Sequence, residues 1–537
     1  MGLKEHQLPS MKPPCDEAVM QLGSGSAPRR SSARTWILAA TILGSSLAFI
    51  DSTVVNVALP ALQATFRATV VDLQWVVESY GLFLAALILV GGSFGDRFGR
   101  RRIFVTGVSI FATASAVCGL ASNMDQLIIA RSIQGIGAAL LVPGSLAIIS
   151  TSFDEKSRGA AIGTWSGFTA ITTAVGPVLG GWLVQHASWR WVFFLNLPIA
   201  MAVIAISLWQ IPETHGEREG RLDWLGAMLA TMGLAGMVTG FVETPNRGWS
   251  NPLVFGSLIF GACCSIAFVW VEAQAEAPTL PLALFKSRNF SGANLLTLLL
   301  YSAIGIFFFV FPLNLIQVQG YSTTATGAAL LPFILLMFAL SRWSGGLVAR
   351  YGSRPPLILG PLLVGSGFFL FAIPSTGGSY WRMFLPAVIV LGFGMAVTVA
   401  PLTTVIMKSA QEDRAGTASG VNNAVARVAG VLAIAILGLL MVKAFGFRLN
   451  SSFVHLSLPP NVLKQLHANE VKLAGLDVSA ELDPSVQSAV RASIRDAFVF
   501  GFRIVMLICA VLSLASSGVA GLMISNDASQ QQSDGSA

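Results

Sequence analysis

The chain has 537 residues, of which 54% are hydrophobic and 11% charged, and its mean hydropathy is +0.70. Soluble domains carry about a quarter of charged residues, whereas apolar stretches of membrane-spanning length recur along this chain, which excludes a soluble enzyme. The formal net charge of +7 indicates membrane topology rather than a nucleic-acid partner, because the basic residues stand between the apolar stretches.

Fourteen apolar spans of about 20 residues, the length that crosses a bilayer as a helix, follow one another along the chain. We predict membrane helices at 36–60, 73–95, 103–121, 125–149, 159–184, 190–210, 222–242, 252–272, 290–312, 325–348, 355–373, 382–406, 416–442 and 498–522. Residues 1–35 are rich in Ser, Pro and Gly, which predicts a disordered tail. The first span exceeds the length of a cleavable signal, so we expect it to be retained.

Basic residues concentrate on one side of the predicted helices. Clusters such as Arg100–Arg102 and Lys286–Arg288 follow even-numbered spans, whereas the short connections on the other side hold few basic residues. Because cytoplasmic loops carry an excess of Lys and Arg, we expect both termini, 1–35 and 526–537, in the cytoplasm. The long connection 443–497 is then external.

An internal repeat divides the sequence. The stretch "GSFGDRFGRR" (Gly92–Arg101) is echoed by "GGLVARYGSR" (Gly345–Arg354), 253 residues later. We therefore predict an all-α integral membrane fold with an N-terminal six-helix bundle at 36–212, a C-terminal six-helix bundle at 289–525 and two extra transmembrane helices at 213–288. Repeats of this kind are typical of transporters whose binding site lies between the halves.

Three charged residues lie within apolar spans at one predicted depth. At 1.5 Å per residue, Asp51 lies about 22 Å from the inner face, and Glu78 and Arg131 lie about 8 and 9 Å from the outer face. Ionisable groups at such depths face an internal cavity and pair, because an isolated charge there costs several kcal/mol. A conformational change that alters the burial or pairing of a carboxyl switches its protonation. We interpret Asp51, Glu78 and Arg131 as a site for proton coupling and substrate binding, in which the two acids take up protons or cationic substrate in turn.

Three motifs accompany these spans. "GSFGDRFGRRR" contains Gly92, Asp96, Arg97, Gly99, Arg100 and Arg101; "LIIARSIQGIGAA" contains Arg131, Gln134, Gly135 and Gly137; "GTWSGFTAITTAVGPVLGG" contains Gly163, Gly176, Pro177, Gly180 and Gly181. Their spacing resembles the loop, fourth-helix and antiporter fifth-helix motifs of the major facilitator superfamily, apart from Thr172, where that family usually has glycine. With "IDSTVVNVALPAL", "WRWVFFLNLP" and fourteen spans, the chain is similar to the fourteen-helix drug:proton antiporters of that superfamily. "QWVVESYGLFLAALILVGGS" resembles a branch named for methylenomycin resistance.

The resemblance implies a major facilitator fold and the export of amphipathic drugs, antibiotics and lipophilic cations by alternating access in exchange for protons. It implies that Asp96 caps the thirteenth helix near Arg414–Gly420 as a latch on the closed cytoplasmic side, since a helix N-terminus favours an anion. In the second copy Ala349 replaces this acid, so the two latches are not equivalent. The glycines of the fifth helix allow close packing and Pro177 allows a kink, which suits a gating helix.

Polar residues of the C-terminal bundle are further candidates for a cavity lining: Asn294, Asn314, Gln317, Asn422, Asn423 and Arg427. The same residue types also hold helices together in membranes, and the sequence alone leaves both roles open. The phenylalanine-rich stretch "AIGIFFFVFPL" fits a cavity wall or a lipid-facing surface, and we favour the lipid-facing interpretation.

Other classes of protein fit the sequence less well. A membrane-embedded enzyme would need a clustered nucleophile, metal ligands or a phosphate-binding loop, and we expect no enzymatic activity, metal or cofactor. A dedicated transporter of a single metabolite or antibiotic stays open as an alternative. We expect a multi-pass protein of a bacterial cytoplasmic membrane whose partners are a small-molecule substrate, protons and the lipid bilayer. It would act as a monomer, with a periplasmic adaptor if the bacterium has two membranes.

Overall fold

The computed structural model describes residues 31–526 except 216–222, 276–277, 279, 410–414, 454–457, 460–461, 465, 467–468, 477 and 479–481. Its long helical segments are α1 (Ser31–Phe66), α2 (Val70–Phe98), α3 (Arg100–Leu120), α4 (Met124–Ser152), α5 (Glu155–His186), α6 (Trp191–Gln210, in two pieces that meet at Leu195), α7 (Trp224–Arg247), α8 (Pro252–Gln274), α9 (Arg288–Leu313), α10 (Thr323–Ala329 and Leu331–Gly345), α11 (Arg354–Phe371), α12 (Leu385–Lys408), α13 (Ala415–Phe453) and α14 (Pro484–Met523).

The all-helical membrane fold predicted from the sequence is confirmed. Thirteen of these segments are long and apolar enough to cross a membrane. The remaining segment, α5, is 32 residues long and packs between α1 and α10. The described part of the chain contains no β-strand.

The helices pack in two groups. Within α1–α6, called the first half, α1 packs on α5 and α6, and α4 packs on α2 and α3. Within α9–α14, called the second half, α9 packs on α13 and α14, and α11 packs on α12 and α14. Helices α7 and α8 pair with each other, and α7 also packs on α2 and α13. The extra pair therefore lies beside the place where the two halves meet.

The internal repeat is visible in the backbone. Gly99, between α2 and α3, has φ +103°, and Gly352, 253 residues later and just ahead of α11, has φ +79°. Positive φ favours glycine, which has no side chain to clash with the backbone. In both copies an arginine lies over the aromatic ring that follows it, with Arg97 on Phe98 and Arg350 on Tyr351. The end of the bundle that holds these two connections is called the basic end.

The two halves touch closely at the end opposite the basic end. A Cβ at Gly181 of α5 would lie 2.9 Å from the Cα of Thr324 at the start of α10. Gln317, which follows α9, donates from Nε2 to Oε1 of Gln63 in α1 at 2.6 Å. Further along, Gln74 of α2 donates to the carbonyl of Ile434 in α13 at 2.9 Å. This end of the bundle is therefore closed by side-chain and backbone contacts.

The predicted external connection 443–497 is shorter than expected. Helix α13 continues to Phe453 and α14 begins at Pro484, so the two helices extend over much of the predicted loop. Arg448 Nη2 lies 3.1 Å from Asp496 Oδ2 and joins the two extensions. Hydropathy ends a span where the apolar run ends, whereas backbone hydrogen bonds continue a helix into polar sequence. The segment between the two helices is therefore shorter than predicted, and its external location stays a prediction.

The lipid-facing interpretation of "AIGIFFFVFPL" was also wrong. Phe307, Phe309 and Phe311 are buried. The rings of Phe307 and Phe311 stack at 4.9 Å, and both rings contact Phe371 of α11. Core and lipid-facing residues are equally apolar in a membrane protein, so composition does not separate them. These phenylalanines form the core of the second half.

Candidate functional site

Asp51 of α1 and Arg131 of α4 form an ion pair inside the first half. Arg131 Nη1 donates to Asp51 Oδ2. Asp51 Oδ1 accepts from Gln134 Nε2 at 2.9 Å and from Asn196 Nδ2 at 3.3 Å. None of these four side chains is more than 1% exposed. The carboxylate is thus paired with one cation and hydrogen-bonded by two amides.

Further contacts hold Arg131 and Asn196 in place. Arg131 Nε donates to the carbonyl of Val76 at 3.1 Å, and its guanidinium lies 4.2 Å from the centre of the Tyr80 ring. Asn196 also donates to Ser115 Oγ at 3.0 Å. Five of the six helices of the first half, all but α5, contribute to this network. A buried charge is stable only when it is paired and hydrogen-bonded. The packing of the first half therefore depends on this network of side chains.

The helix geometry explains why these residues meet. Arg131 and Gln134 are three residues apart in α4 and therefore share one face. Asn196 begins the second piece of α6, and its side chain reaches the same carboxylate. The sequence prediction included Asp51 and Arg131 but missed Asn196. The stretch "WRWVFFLNLP" contains Asn196, yet spacing alone did not connect it with α1.

Glu78 lies apart from this ion pair. Its side chain is fully buried, and neither carboxyl oxygen has a hydrogen-bond partner in the described chain. Tyr80 is the second residue after Glu78, which corresponds to a rotation of about 200° around the axis of α2. The two side chains therefore point in opposite directions. Val71 and Leu82 share the Glu78 face, and both belong to an apolar cluster with α7 and α13. The structure therefore places Glu78 against α7 and α13, not beside Arg131.

Asp96, the predicted latch, lies near the end of α2 and forms an ion pair with Arg100 at the start of α3. Its Oδ1 accepts from Nε and Nη2 of Arg100, at 2.9 and 2.7 Å. The Asp96 side chain is 43% exposed. Arg414, at the predicted docking position, lies outside the described residues. Gly420, at the other end of that position, faces Leu89 of α2, and the contact of Asp96 with α13 stays a prediction.

An acid that the sequence analysis missed occupies a helix N-terminus at the basic end. Glu213, after α6, accepts hydrogen bonds from the backbone N–H groups of Arg101 at 3.0 Å and Arg102 at 3.2 Å. Both residues lie in the first turn of α3, where an anion is stabilised. A Cβ at Gly99 would lie 2.5 Å from Glu213 Oε1, so glycine is needed here for this contact as well as for its positive φ.

The glycines of α5 are not equivalent. A Cβ at Gly176 would clash with Thr53 Oγ1, and one at Gly180 would lie 2.7 Å from Val54 Cγ1, so α5 lies directly on α1 two or three residues beyond Asp51. Gly181 faces α10 in the same way, and the Pro177 carbonyl lies against Gly327 of α10. No atom of the described residues lies within 4 Å of the place where a Cβ would stand at Gly163, and a role of this glycine in close packing stays a prediction.

The polar candidates of the second half lie in three places. Asn422 of α13 donates to Thr297 Oγ1 at 2.7 Å and to Asn294 Oδ1 at 3.2 Å, and this set joins α13 to α9. Asn314 and Gln317 lie at the closed end, beyond α9. Asn423 and Arg427 lie one turn apart on α13, where Arg427 Nε donates to Asn423 Oδ1 at 3.2 Å.

Two helical halves, a repeated glycine connection and a buried ion pair at membrane depth define a multi-pass transporter fold. The model of the Major Facilitator Superfamily matches residues 41–434, and the chain belongs to this family. It is 31% identical over 497 residues to the tetracenomycin C resistance and export protein of Streptomyces glaucescens, with 91% of each chain covered. It is 31% identical over 408 residues to the methylenomycin A resistance protein of Bacillus subtilis (strain 168), covering 75% of this chain and 87% of that relative.

A solved structure shows the same fold. The bacterial homologue of the human lysosomal transporter Spinster, in an inward-facing and unoccupied conformation, matches with a TM-score of 0.62 at 18% identity. The match covers 92% of this chain and 98% of that chain. The predicted resemblance to drug-exporting major facilitators is confirmed by these relatives, and the structural neighbour supports the fold.

Proposed function

We propose that the protein exports amphipathic small molecules across a bacterial cytoplasmic membrane in exchange for protons. The observation that carries this proposal is the Asp51–Arg131 pair, which is buried at membrane depth next to the contact of α5 on α1. Ionisable groups inside membranes mark transport and proton pathways. The names of the relatives, which include resistance and export of tetracenomycin C, support the direction of transport.

Alternating access would come from movement of the predicted N-terminal bundle, residues 36–212, against the predicted C-terminal bundle, residues 289–525. The halves are joined at the closed end, and the cycle would alternate between closure at that end and closure at the basic end. The basic end and both termini would face the cytoplasm, in agreement with the distribution of Lys and Arg. The extra pair, residues 213–288, would stay at the side. The functional unit would be a monomer, joined by an adaptor only in a cell with two membranes.

Proton coupling would act through the pairing of Asp51. Protonation of this carboxyl would remove the charge that holds Arg131, and the freed guanidinium would then change its hydrogen bonds. Helix α5 would respond because Gly176 contacts Thr53, two residues from Asp51. Glu78, with no partner in the described chain, would be a second protonatable group on the other face of α2. Asp96 would leave Arg100 for α13 when the basic end closes.

Uptake into inside-out vesicles tests this proposal. Vesicles with an acidic interior should accumulate several structurally different amphipathic antibiotics and dyes, and collapse of the pH gradient by an ionophore should stop the accumulation. Vesicles without the protein provide the control for passive entry. Accumulation that persists after the gradient has collapsed would contradict proton-driven export.

A transporter dedicated to one compound is the second candidate. Several relatives are named for resistance to a single antibiotic, such as methylenomycin A. The same panel of compounds separates the two candidates, because a dedicated exporter would accumulate one chemical family and leave the others outside. Accumulation of unrelated compounds would favour the multidrug proposal.

A further inference from the structure

The two buried acids of the first half, Asp51 and Glu78, are not accessible to a ligand between the halves. Asp51 is paired with Arg131, and its second oxygen accepts from two amides. Glu78 points from the opposite face of α2 toward α7 and α13. Both carboxyl groups are fully buried, Asp51 inside its network and Glu78 where α2 packs on α7 and α13, so neither is accessible to a cationic substrate in this conformation.

The second half is poor in acids by sequence. From Arg288 to Phe453 the chain contains two acidic residues, Glu412 and Asp413, and both lie in the connection between α12 and α13. Helices α9 to α13 thus contribute no carboxylate at membrane depth. Asp496 of α14 lies beyond the closed end and pairs with Arg448.

Arg427 places a positive charge at the same interface. It lies 12 residues after Ala415, about 18 Å along α13 at 1.5 Å per residue, which is near the middle of a bilayer core of about 30 Å. Its described hydrogen bond goes to Asn423, and no carboxylate of the described chain forms an ion pair with it. The charge of this guanidinium is therefore uncompensated by the described residues.

The side chain of Arg427 points between the halves. Helix α13 touches α2 through Val431, which lies against Gly81, and touches α9 through Gly430, which lies against Gly305. Arg427 lies three residues before Gly430 and four residues before Val431. Around the axis of α13, its side chain therefore points in a direction between those two residues, that is, between α9 and α2. Arg427 is partly exposed and Asn423 is exposed, so the space they face is accessible.

We infer that the substrates of this protein are neutral or acidic amphiphiles and that Arg427 with Asn423 binds their acidic group. A guanidinium binds a carboxylate or phosphate with two parallel hydrogen bonds and binds other acidic oxygens as a charged donor. The same charge repels an organic cation in the low dielectric of a membrane interior. This inference rests on the proposed export function and adds a preference within the amphipathic substrates that the sequence predicts.

Three analogues of one fluorescent amphiphile test the inference. They carry a carboxylate, its neutral amide or a primary amine at the same position, and their uptake into inside-out vesicles is measured with an imposed pH gradient. Protein-free vesicles give the passive rate that is subtracted. The wild type should transport the acid best, the amide less well and the amine least.

Two variants of the arginine assign this preference to its side chain. Arg427→Gln should lower the apparent affinity for the acid about tenfold, the effect of one charge-assisted hydrogen bond. It should lower the apparent affinity for the amide by a smaller factor, because an uncharged acceptor gains less from the guanidinium. Arg427→Lys keeps the charge and should retain part of the preference. Transport of the amide by Arg427→Gln shows that this variant folds.

Asn423→Asp provides the opposite change. A carboxylate one turn from Arg427 should pair with it, abolish the preference for the acid and leave transport of the amide. Preference of the wild type for the amine, or an equal loss of all three analogues in Arg427→Gln, would overturn the inference while the export function stands. Absence of gradient-driven transport of every analogue and antibiotic by the wild type would instead overturn the export function, and this inference with it.

Discussion

Asp51 and Glu78 are two buried acids with opposite surroundings, and this difference governs what their removal does. Asp51 is surrounded by donors from α4 and α6, whereas both oxygens of Glu78 are without a partner in the described chain. Removal of one member of a buried ion pair leaves the other charge uncompensated. Removal of an unpartnered group leaves no such charge.

The two acids should therefore differ in their effect on stability. Asp51→Ala should lower the free energy of unfolding by about 3–5 kcal/mol, because Arg131 stays buried without its anion. Glu78→Gln should change it by less than about 1 kcal/mol, because neither the carboxyl nor the amide has a partner at this place. Thermal unfolding of the purified proteins in detergent measures both values. A larger loss in Glu78→Gln than in Asp51→Ala would contradict the described network.

At the scale of the helices, the contact of α5 on α1 connects the ion pair with the contact between the halves. Gly176 and Gly180 lie on α1 beside Asp51, and Gly181 lies on α10 of the second half. Small residues allow such close approach in membranes, where packing rather than hydrophobic burial holds helices together. The same helix thus touches α1 next to Asp51 and also touches the opposite half.

A pair of matched glycine variants tests this role of α5. Gly176→Ala places a methyl group against Thr53 and Ile50, and the resulting overpacking should destabilise the protein by about 1–3 kcal/mol and slow transport. Gly163→Ala places its methyl group where no atom of the described residues lies within 4 Å, and it should behave as the wild type or better, since alanine favours a helix. Unfolding temperature and vesicle uptake are measured for both. Equal behaviour of the two variants would contradict the assigned contact.

The helix register also shows how far the sequence could predict this site. Depth along a helix is a count of residues at 1.5 Å each, so Asp51 and Arg131 could be placed at one level without a structure. The face that a residue presents depends on the rotation of its helix against neighbours that are distant in sequence. Glu78 was for this reason assigned to the wrong neighbours, and Glu213, more than a hundred residues after Gly99, was missed. The fold itself was predictable, because span length and the glycine connections are local signals.

At the scale of the whole molecule, the closed end joins both halves and the segment between α13 and α14. Gln63 of α1 accepts from Gln317 and donates to the carbonyl of Lys472 at 3.1 Å. A cavity of about 420 Å³ lies at this place, and Arg67 contributes to its lining. Alternating access requires these contacts to open when the basic end closes, so their covalent connection should stop the cycle.

Cross-linking of the closed end tests the movement of the halves. Gln63→Cys and Gln317→Cys, made in a Cys263→Ser background because Cys263 is the exposed native cysteine of the described chain, should react with a short cleavable bis-maleimide that enters through the cavity. The cross-linked protein should lose transport and regain it after cleavage. Gln63→Cys alone, treated with the same reagent, is the control. Full transport by the cross-linked protein would contradict opening at this end.

Proton movement driven by substrate tests the central claim most directly. Inside-out vesicles with an acidic interior and a luminal pH dye should become more alkaline inside when a transported amphiphile is added, because each exported molecule returns protons. Asp51→Asn should abolish this signal, and Asp72→Asn, which changes an acid of the capping box at the start of α2, should keep it. Substrate accumulation by the wild type without a luminal pH change, or an undiminished signal in Asp51→Asn, would contradict the account.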